Sequence, residues 1–229
     1  MLDGYASGTA SLSHGLPNRG HGNRFDLLMR SPLARERRSP PGFIRPAQPV
    51  LADRPPAGSG WSFEIKHDGF RIVSRKDGDG LRLWSRNARD WSVEFRAIAE
   101  ALKALPASSV ILDGEAVAHC AEGLPDFHGL PGDNAASACL YAFDLLAVEG
   151  EDLRRLPLEV RRERLADLLA DAGPALRLSE HLEGDGVVIF EHACRLGLEG
   201  VIAKRNGSAY RSGRCSSWVK VKNPAYARR

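Results

Sequence analysis

A series of short strand patterns separated by glycine-containing turns is the feature of this sequence that most constrains its fold. The segments WSFEI (61–65), FRIVSR (70–75) and LRLWSR (81–86) alternate apolar and polar residues, as half-buried strands do. The separators between them contain HDG and KDGDG, and glycine directly after aspartate is typical of hairpin turns because glycine adopts positive φ at little cost. The sequence therefore predicts two consecutive hairpins at the start of the folded part.

Further strands and three helices follow this start. The strand patterns are SSVILDGEAVAH (108–119), CLYAFDLLAV (139–148), GVIAKR (200–205) and SSWVKVK (216–222), and the helical patterns are SVEFRAIAEALKAL (92–105), PLEVRRERLADLLADAG (157–173) and DGVVIFEHACRLG (185–197). Because the strands do not alternate regularly with helices, the pattern predicts an α+β fold with antiparallel strands. Neither a GxGxxG sequence nor a Walker-type loop is present, which argues against a Rossmann or P-loop nucleotide site.

The first 45 residues differ in composition from the rest of the chain. They are rich in Gly, Ser, Pro and Arg, so we expect residues 1–45 to form a disordered or loosely attached arm before a domain at 46–229. The N-terminus has no basic start followed by an apolar core, and no apolar run approaches the roughly 20 residues of a membrane span. We therefore expect a cytoplasmic protein with no membrane partner.

Positive charge is concentrated near the C-terminus, although the net charge of the chain is only +3. From Arg195 onward the sequence contains many arginines and lysines against a single acid, Glu199. Strand-like apolar residues are interleaved with these cations, which favours a folded phosphate-binding surface over the alternative of a solvated tail.

Lys66 stands at the end of the WSFEI pattern, directly before the HDG turn, where its amine can project into a cleft. A lysine amine is nucleophilic only when it is neutral, and neighbouring cations favour the neutral form. Lys220 and Lys222 alternate on one strand and so face the same side, and Arg71 follows the turn. Together these cations would hold a triphosphate beside Lys66. The alternative is that KHDG is only a polar hairpin tip.

Six short segments place charged residues in or beside the strand patterns: KHDGFR (66–71), SRN (85–87), LDGE (112–115), YAFD (141–144), EGVIAKR (199–205) and WVKVK (218–222). In this order they resemble the motifs of the covalent nucleotidyltransferases, which comprise ATP-dependent DNA ligases, RNA ligases and mRNA capping enzymes. The segments SRNARDWS and EGVIAKR are most similar to those of bacterial end-joining ligases. The resemblance implies a nucleotidyltransferase fold, in which two antiparallel sheets flanked by helices enclose a nucleotide cleft.

The resemblance also implies ATP-dependent DNA ligation, with ATP as substrate. Lys66 would attack the α-phosphorus of ATP and retain AMP as a phosphoramidate, while Lys220 and Lys222 would contact the α-phosphate. Glu199 would lie near a divalent ion, Mg²⁺ or Mn²⁺, that neutralises phosphate charge. AMP would then pass to a DNA 5′-phosphate, and a 3′-hydroxyl would displace it during DNA repair.

Other residues around the nucleoside receive roles from the same resemblance. Arg71 and Glu115 would hold the ribose hydroxyls. Phe143 would stack on the base, and Glu64 would face the adenine edge. Arg86 would meet the 5′-phosphate of nicked or broken duplex DNA, and the protein would be associated with the nucleoid. As alternatives, Phe143 could be an ordinary core residue and Arg86 an exposed strand-end cation. Glu64 and Glu115 could face solvent, and Glu199 could be a local salt-bridge partner.

The sequence ends a few residues after Lys222, where ligases of the resembled family continue into an OB-fold domain. We therefore expect an isolated adenylation domain, and a partner protein could supply the OB-type surface. Two other functions stay open on the sequence. One is an RNA ligase or a capping-type nucleotidyltransferase, and the other is a non-catalytic DNA-binding remnant.

Overall fold

The computed structural model describes residues 42–78, 80–118, 130 and 133–227. The strands are β1 (Ala47–Ala52), β2 (Trp61–Ile65), β3 (Phe70–Asp77), β4 (Gly80–Ser85), β5 (Ser109–Val117), β6 (Cys139–Val148), β7 (Glu151–Asp152), β8 (Leu176–Leu178), β9 (His181–Leu182), β10 (Gly200–Arg205) and β11 (Gly213–Lys222). The α-helices are α1 (Arg96–Ala104), α2 (Leu158–Leu169) and α3 (Gly186–Arg195), and a short 3₁₀ helix spans Asp133–Ser137.

The strands form two sheets. Sheet A has the order β1-β11-β10-β2-β9, and sheet B has the order β4-β3-β5-β6-β7, with β8 paired to β6. Paired strands are antiparallel, except that β1 runs parallel to β11 and β6 parallel to β8. The predicted α+β class with two mainly antiparallel sheets is therefore confirmed.

The prediction of a hairpin between β2 and β3 is wrong. Strand β2 pairs with β10 and β9 in sheet A, whereas β3 pairs with β4 and β5 in sheet B. The HDG turn therefore carries the chain from one sheet to the other. An Asp-Gly pair favours a local reversal but does not determine which strands pair afterwards. The second hairpin is confirmed, since Asp77 pairs with Gly80 across Gly78, whose φ is +54°.

Close packing explains the glycine in the crossing turn. A Cβ atom on Gly69 would lie 2.2 Å from the carbonyl oxygen of Ala116 on β5. The turn can therefore pass this close to sheet B only with glycine at this position. As a result Lys66, which precedes the turn, lies where the chain leaves sheet A.

The apolar residues form three layers. Helices α1 and α2 cover one face of sheet B with the largest cluster, which includes Phe95, Ile98 and Leu102. A second cluster, with Phe143 and Trp218, fills the space between the two sheets. The third cluster packs α3 against the outer face of sheet A. The two sheets are thus held face to face, which creates the cleft between them.

The N-terminal edge of sheet A was not predicted. The segment of β1 contains Pro49 and follows several prolines, but proline is tolerated in a strand at the edge of a sheet. Ile44, inside the predicted arm, is 3% exposed and belongs to the cluster between the sheets. The last residues of that arm are therefore folded, and residues 1–41 lie outside the described residues.

The three predicted helices are confirmed. In α1 the buried residues are Ile98, Ala99 and Leu102, as the periodicity indicated. In α3 the carboxylate of Asp185 accepts hydrogen bonds from the first-turn N–H groups of Val187 and Val188, which defines the start of the helix. No helix in the described part of the chain is long and apolar enough to cross a membrane.

Candidate active site

A cavity of about 580 Å³ lies between the sheets. The edge strand β1 and its flank (46–51) close one side of it. Most of the predicted site residues line it, namely Glu64, Lys66, Arg71, Arg86, Glu115, Phe143 and Lys220. Of the other two predicted residues, Glu199 forms an ion pair with Lys66, and Lys222 forms an ion pair with Glu199.

The cavity-facing side of sheet A is a grid of three rows. Residues directly opposite one another on paired strands, and residues two apart on one strand, share a face of the sheet. The first row is Trp218–Lys204–Ser62, the second is Lys220–Ile202–Glu64, and the third begins with Lys222–Gly200. Lys66 completes the third row, because its N–H donates to the Gly200 carbonyl at 3.0 Å.

We call the third row, together with Glu199 and with Lys220 from the second row, the open end of the cavity. Lys66 Nζ lies 2.5 Å from Glu199 Oε2, and the two side chains are 19% and 6% exposed. Lys222 Nζ lies 3.6 Å from the other oxygen of Glu199, and its side chain is 54% exposed. The next residue, Gly200, has a φ of +143°, and a Cβ there would lie 2.0 Å from the Val221 carbonyl oxygen. Only glycine therefore allows the start of β10 to lie this close to β11.

Further cations surround the open end. Burial lowers the pKa of Lys220, and the positive charges of Lys222, Lys66 and Arg86 lower it further, while Glu199 opposes them. Arg86 lines the cavity from the end of β4, and Arg214 lines it from β11. This excess of positive charge beside one carboxylate suits a ligand with several negative charges.

On the sheet B side, Arg71 is held by a network that the sequence did not predict. Its Nε and Nη2 donate to the two oxygens of buried Asp113 at 2.6 and 2.7 Å. The hydroxyl of Tyr210 donates to the same carboxylate at 2.6 Å and accepts from the N–H of Ala47 at 2.9 Å. Neither Asp113 nor Tyr210 was among the predicted site residues, and Tyr210 lies outside all six motif-like segments. The network ties β1 to sheet B and fixes the Arg71 guanidinium at the cavity wall.

Glu115 lies opposite Arg71 on the neighbouring strand. Burial raises the pKa of Glu115 to about 7, while the nearby charges of Arg71 and Lys66 act in the opposite direction. A carboxylate in this position can accept hydrogen bonds from a polar ligand, and a bound donor would favour its ionised form.

We call the first row, together with Phe143 and with Glu64 from the second row, the closed end of the cavity. Phe143 is 8% exposed, and the Arg71 guanidinium carbon and Lys204 Nζ each lie 4.4 Å from its ring centre. Trp218 meets the same ring edge-on at 6.0 Å. Phe143 is therefore both a core residue and a cavity-lining aromatic, and its stacking on a base stays a prediction.

Glu64 does not face water, which was its alternative role. It is 3% exposed, and its Oε1 lies 2.6 Å from Arg162 Nη2 and 2.8 Å from Lys204 Nζ. Burial lowers the pKa of Lys204 to about 8, although Glu64 acts to raise it. Arg162 had no signal in the sequence, because α2 carries several arginines and nothing there indicates their partners.

A divalent metal ion needs several oxygen ligands around it. Among the residues that the structure describes, no group of three or more His, Cys, Asp or Glu could hold an ion by itself. Mg²⁺, however, is commonly bound by one or two carboxylates together with substrate phosphates and water. Glu199, which pairs with Lys66, and Glu115, which lines the cavity, fit that second mode.

Comparison with known proteins assigns this cavity to a family. A family model described as "ATP dependent DNA ligase domain" matches residues 54–222. The chain belongs to the ATP-dependent DNA ligase family. The matched range contains every residue predicted for the site.

Two curated relatives are bacterial LigD proteins. The chain is 44% identical over 188 residues to the "Multifunctional non-homologous end joining protein LigD" of Pseudomonas aeruginosa, which covers 80% of this chain and 22% of that protein. It is 39% identical over 167 residues to the LigD of Mycobacterium tuberculosis, covering 72% of this chain and 22% of that protein. The chain thus spans about a fifth of the length of these relatives.

A solved structure supports the same assignment. "Mycobacterial DNA ligase D complexed with ATP and MES" matches with a TM-score of 0.67 and 36% identity, covering 78% of this chain and 60% of that one. The predicted nucleotidyltransferase fold and the resemblance to end-joining ligases are therefore confirmed.

Proposed function

We propose that the chain is the catalytic core of an ATP-dependent DNA ligase, and that its first reaction is adenylylation of Lys66. One observation carries this proposal. Lys66 lies at the open end of a cavity between two sheets, 2.5 Å from Glu199 and among the cations that lower the pKa of Lys220. A lysine in that position can attack a phosphate that those cations hold.

The grid on sheet A suits the shape of a nucleotide. Rows two residues apart along a strand are separated by about 7 Å, so the three rows span roughly 13 Å. The closed end would take the base, the sugar would lie over Ile202 in the middle of the grid, and the open end would take the phosphates. Phe143 would stack on the base, and Glu64 would accept a hydrogen bond from the adenine amino group.

The ribose would lie between the two sheets. Glu115 would accept hydrogen bonds from its hydroxyls. The Nε and Nη2 groups of Arg71 are already bound to Asp113. Arg71 would therefore donate from Nη1, which has no hydrogen-bond partner among the described residues. Asp113 and Tyr210 would support this step by holding Arg71 in place.

The first step joins Lys66 to AMP. The neutral Nζ attacks the α-phosphorus, an N–P bond forms, and the bond from the α-phosphorus to the bridging oxygen breaks, so that pyrophosphate leaves with the electron pair. Two protons leave Nζ in total, one before the attack and one as the phosphoramidate forms. Lys220 and Lys222 would stabilise the negative charge on the α-phosphate in the transition state.

A divalent ion, Mg²⁺ or Mn²⁺, would neutralise phosphate charge at the open end. Glu199 is the carboxylate placed to hold it, together with phosphate oxygens and water. Lys66 and Lys222 would have to shift from Glu199 toward the phosphates as the ion binds.

The later steps transfer AMP to DNA. A 5′-phosphate oxygen attacks the phosphorus of lysyl-AMP and displaces Lys66, and a 3′-hydroxyl then attacks the 5′-phosphate and displaces AMP. Arg86 and Arg214 line the mouth of the cavity, where they would attract the backbone of nicked or broken duplex DNA. A partner protein that supplies further DNA-binding surface would assist these steps in the cell, in association with the nucleoid.

The test is transfer of label from ATP labelled at the α-phosphate, in Mg²⁺ or Mn²⁺, to the denatured protein. We expect label on the wild type, none on Lys66→Ala, and undiminished label on Lys103→Ala, which removes an exposed lysine of α1. Labelled protein is then mixed with nicked DNA or nicked RNA.

Each outcome of this experiment separates one of the alternatives. Sealing of nicked DNA supports the proposal, whereas sealing of nicked RNA or preference for GTP supports an RNA ligase or a capping-type enzyme. Absence of label from a folded protein freed of bound AMP would favour the non-catalytic DNA-binding remnant. Full sealing by the pure chain would rule out the need for a partner protein.

A further inference from the structure

Helix α2 contacts both sheets through arginines. Arg161 forms a two-point ion pair with Asp144 of sheet B, in which both side chains are fully buried. Arg162 contacts sheet A through Glu64, and Arg164 pairs with Glu151 of β7 at 2.8 Å. Only Arg162 of these three has a partner that lines the cavity.

The contacts of Arg162 fix a carboxylate and its strand together. Its Nη1 donates to the hydroxyl of Ser62 at 2.7 Å, and its Nη2 donates to Oε1 of Glu64 at 2.6 Å. Ser62 and Glu64 are two residues apart on β2 and so face the same side. The planar guanidinium therefore spans both positions and restricts rotation of the Glu64 side chain.

Arg162 is also a permanent counter-charge beside Glu64. Lys204 is the other cation beside Glu64, but a buried lysine can lose its proton, whereas an arginine in a protein cannot. Both cations contact the same oxygen, Oε1. No described residue donates a hydrogen bond to Oε2, and Glu64 lines the cavity. Two cations thus fix Oε1, and Oε2 is available to a ligand in the cavity.

We propose that Arg162 is a positioning residue that sets nucleobase selection by fixing the orientation of the Glu64 carboxylate at the cavity wall. The inference rests on the proposed function, in which the base of ATP occupies the closed end. A fixed acceptor favours adenine, whose 6-amino group donates. It disfavours hypoxanthine, which carries a keto oxygen at that position.

Release of Glu64 would weaken this selection. Hypoxanthine and guanine carry a hydrogen-bond donor at N1, one atom away from the 6-position. A Glu64 side chain that is free to rotate could reach that N1–H, whereas one bound to Arg162 and Lys204 could not follow the base. Loss of Arg162 should therefore impair ATP more than ITP.

The experiment compares ATP with ITP, which differ only in the substituent at C6 and in the proton at N1. The variant is Arg162→Gln, and the matched control is Arg164→Gln, which breaks another ion pair of α2 whose arginine is equally exposed, 9% in both cases. Lysyl-nucleotide formation gives kcat/KM for each nucleotide, calorimetry gives the dissociation constants, and thermal unfolding reports stability.

We expect the wild type to favour ATP over ITP by about 100-fold or more, as expected for a site that hydrogen-bonds the distinguishing group. Arg162→Gln should lower this ratio at least tenfold, mainly by raising KM for ATP, and Arg164→Gln should leave it within twofold. Arg162→Lys keeps the charge but loses the two-point contact, so it should lower the ratio by a smaller factor. This variant tests the idea if Arg162→Gln does not fold.

Two results would overturn the proposal: an unchanged ratio in the Arg162 variants, or an equal fall in Arg164→Gln. The experiment also distinguishes failure of this proposal from failure of the proposed ligase function. If the wild type binds nucleotide but takes no label, the ratio of dissociation constants still tests Arg162, while the ligase proposal fails. If the wild type binds neither ATP nor ITP, both proposals fail.

Discussion

The two ends of the cavity are built on the same three strands of sheet A but treat charge in opposite ways. At the closed end, Lys204 and Glu64 are 1% and 3% exposed, and each charge has an opposite charge within 3 Å. At the open end, Lys222 is 54% exposed and its nearest carboxylate oxygen is 3.6 Å away. There the cations outnumber the single carboxylate, Glu199.

This difference separates recognition from chemistry. Buried paired charges are costly to break and hold side chains in one orientation, which suits the selection of a base. Exposed cations repel one another until a polyanion arrives, which suits binding of phosphates and of the charge that develops during their transfer. Variants at the closed end should therefore affect stability and selectivity, and variants at the open end should affect rate.

The largest effect is expected at the buried pair behind the closed end. Asp144→Asn leaves the buried Arg161 guanidinium without its counter-charge, which should cost about 3–5 kcal/mol of unfolding free energy. The thermal midpoint should fall by roughly 10 °C. Scanning calorimetry against Lys220→Ala provides the comparison, since that open-end variant should change the midpoint by no more than a degree or two. Equal changes in the two variants would remove the proposed contrast.

The next effect concerns the rate at the open end. Lys220→Ala should slow formation of lysyl-AMP by about 10²–10³-fold, because one group that stabilises transition-state charge is lost. The ratio of rates with ATP and ITP should not change, since Glu64 and its partners are intact. Single-turnover label transfer with both nucleotides measures both quantities. A lowered ratio would mean that the two ends do not act separately.

A smaller effect is expected at Glu115, between the two ends. Its folded-state pKa is raised from 4.5 to about 7, so the folded protein binds the proton more tightly than the unfolded chain does. The stability that this contributes is fully present below pH 4.5 and is lost as the pH rises through 7. Glu115→Gln should remove this loss and stabilise the nucleotide-free protein at pH 8 by about 1–2 kcal/mol relative to wild type.

The check on Glu115 is denaturant unfolding of both proteins at pH 5 and pH 8. The stability difference between variant and wild type should grow as the pH rises. A constant difference across this range would contradict the pKa shift and its assignment to burial.

The smallest effect is expected at Lys222. Because its side chain is 54% exposed, solvent screens its charge, so Lys222→Ala should lower the rate of lysyl-AMP formation only about two- to fivefold across ATP concentrations. The effect should diminish in 0.5 M salt because exposed charges are screened over less than about 10 Å there. Titrations of ATP at low and high salt measure this. A large effect that persists at high salt would place Lys222 in direct, desolvated contact with the phosphates.

Local patterns in the sequence determined a large part of this molecule. The α+β class, the three helices and the second hairpin follow from periodicity and turn chemistry within short segments. The alternation of Lys220 and Lys222 likewise placed both on one face, as the grid bears out. The motif-like segments identified the family and brought together the residues around Lys66, although the individual roles of these residues stay predictions.

Only the tertiary structure decided how those segments meet. The HDG turn is equally compatible with a hairpin and with a crossing between sheets, and pairing with β10 and β5 settled the choice. The partners that set the site are far apart along the chain: Arg162 and Glu64 are separated by 98 positions, Tyr210 and Asp113 by 97, and Lys66 and Glu199 by 133. The partner of a buried charge is determined by which side chains the tertiary packing places beside it. A sequence pattern within a short segment therefore does not identify that partner.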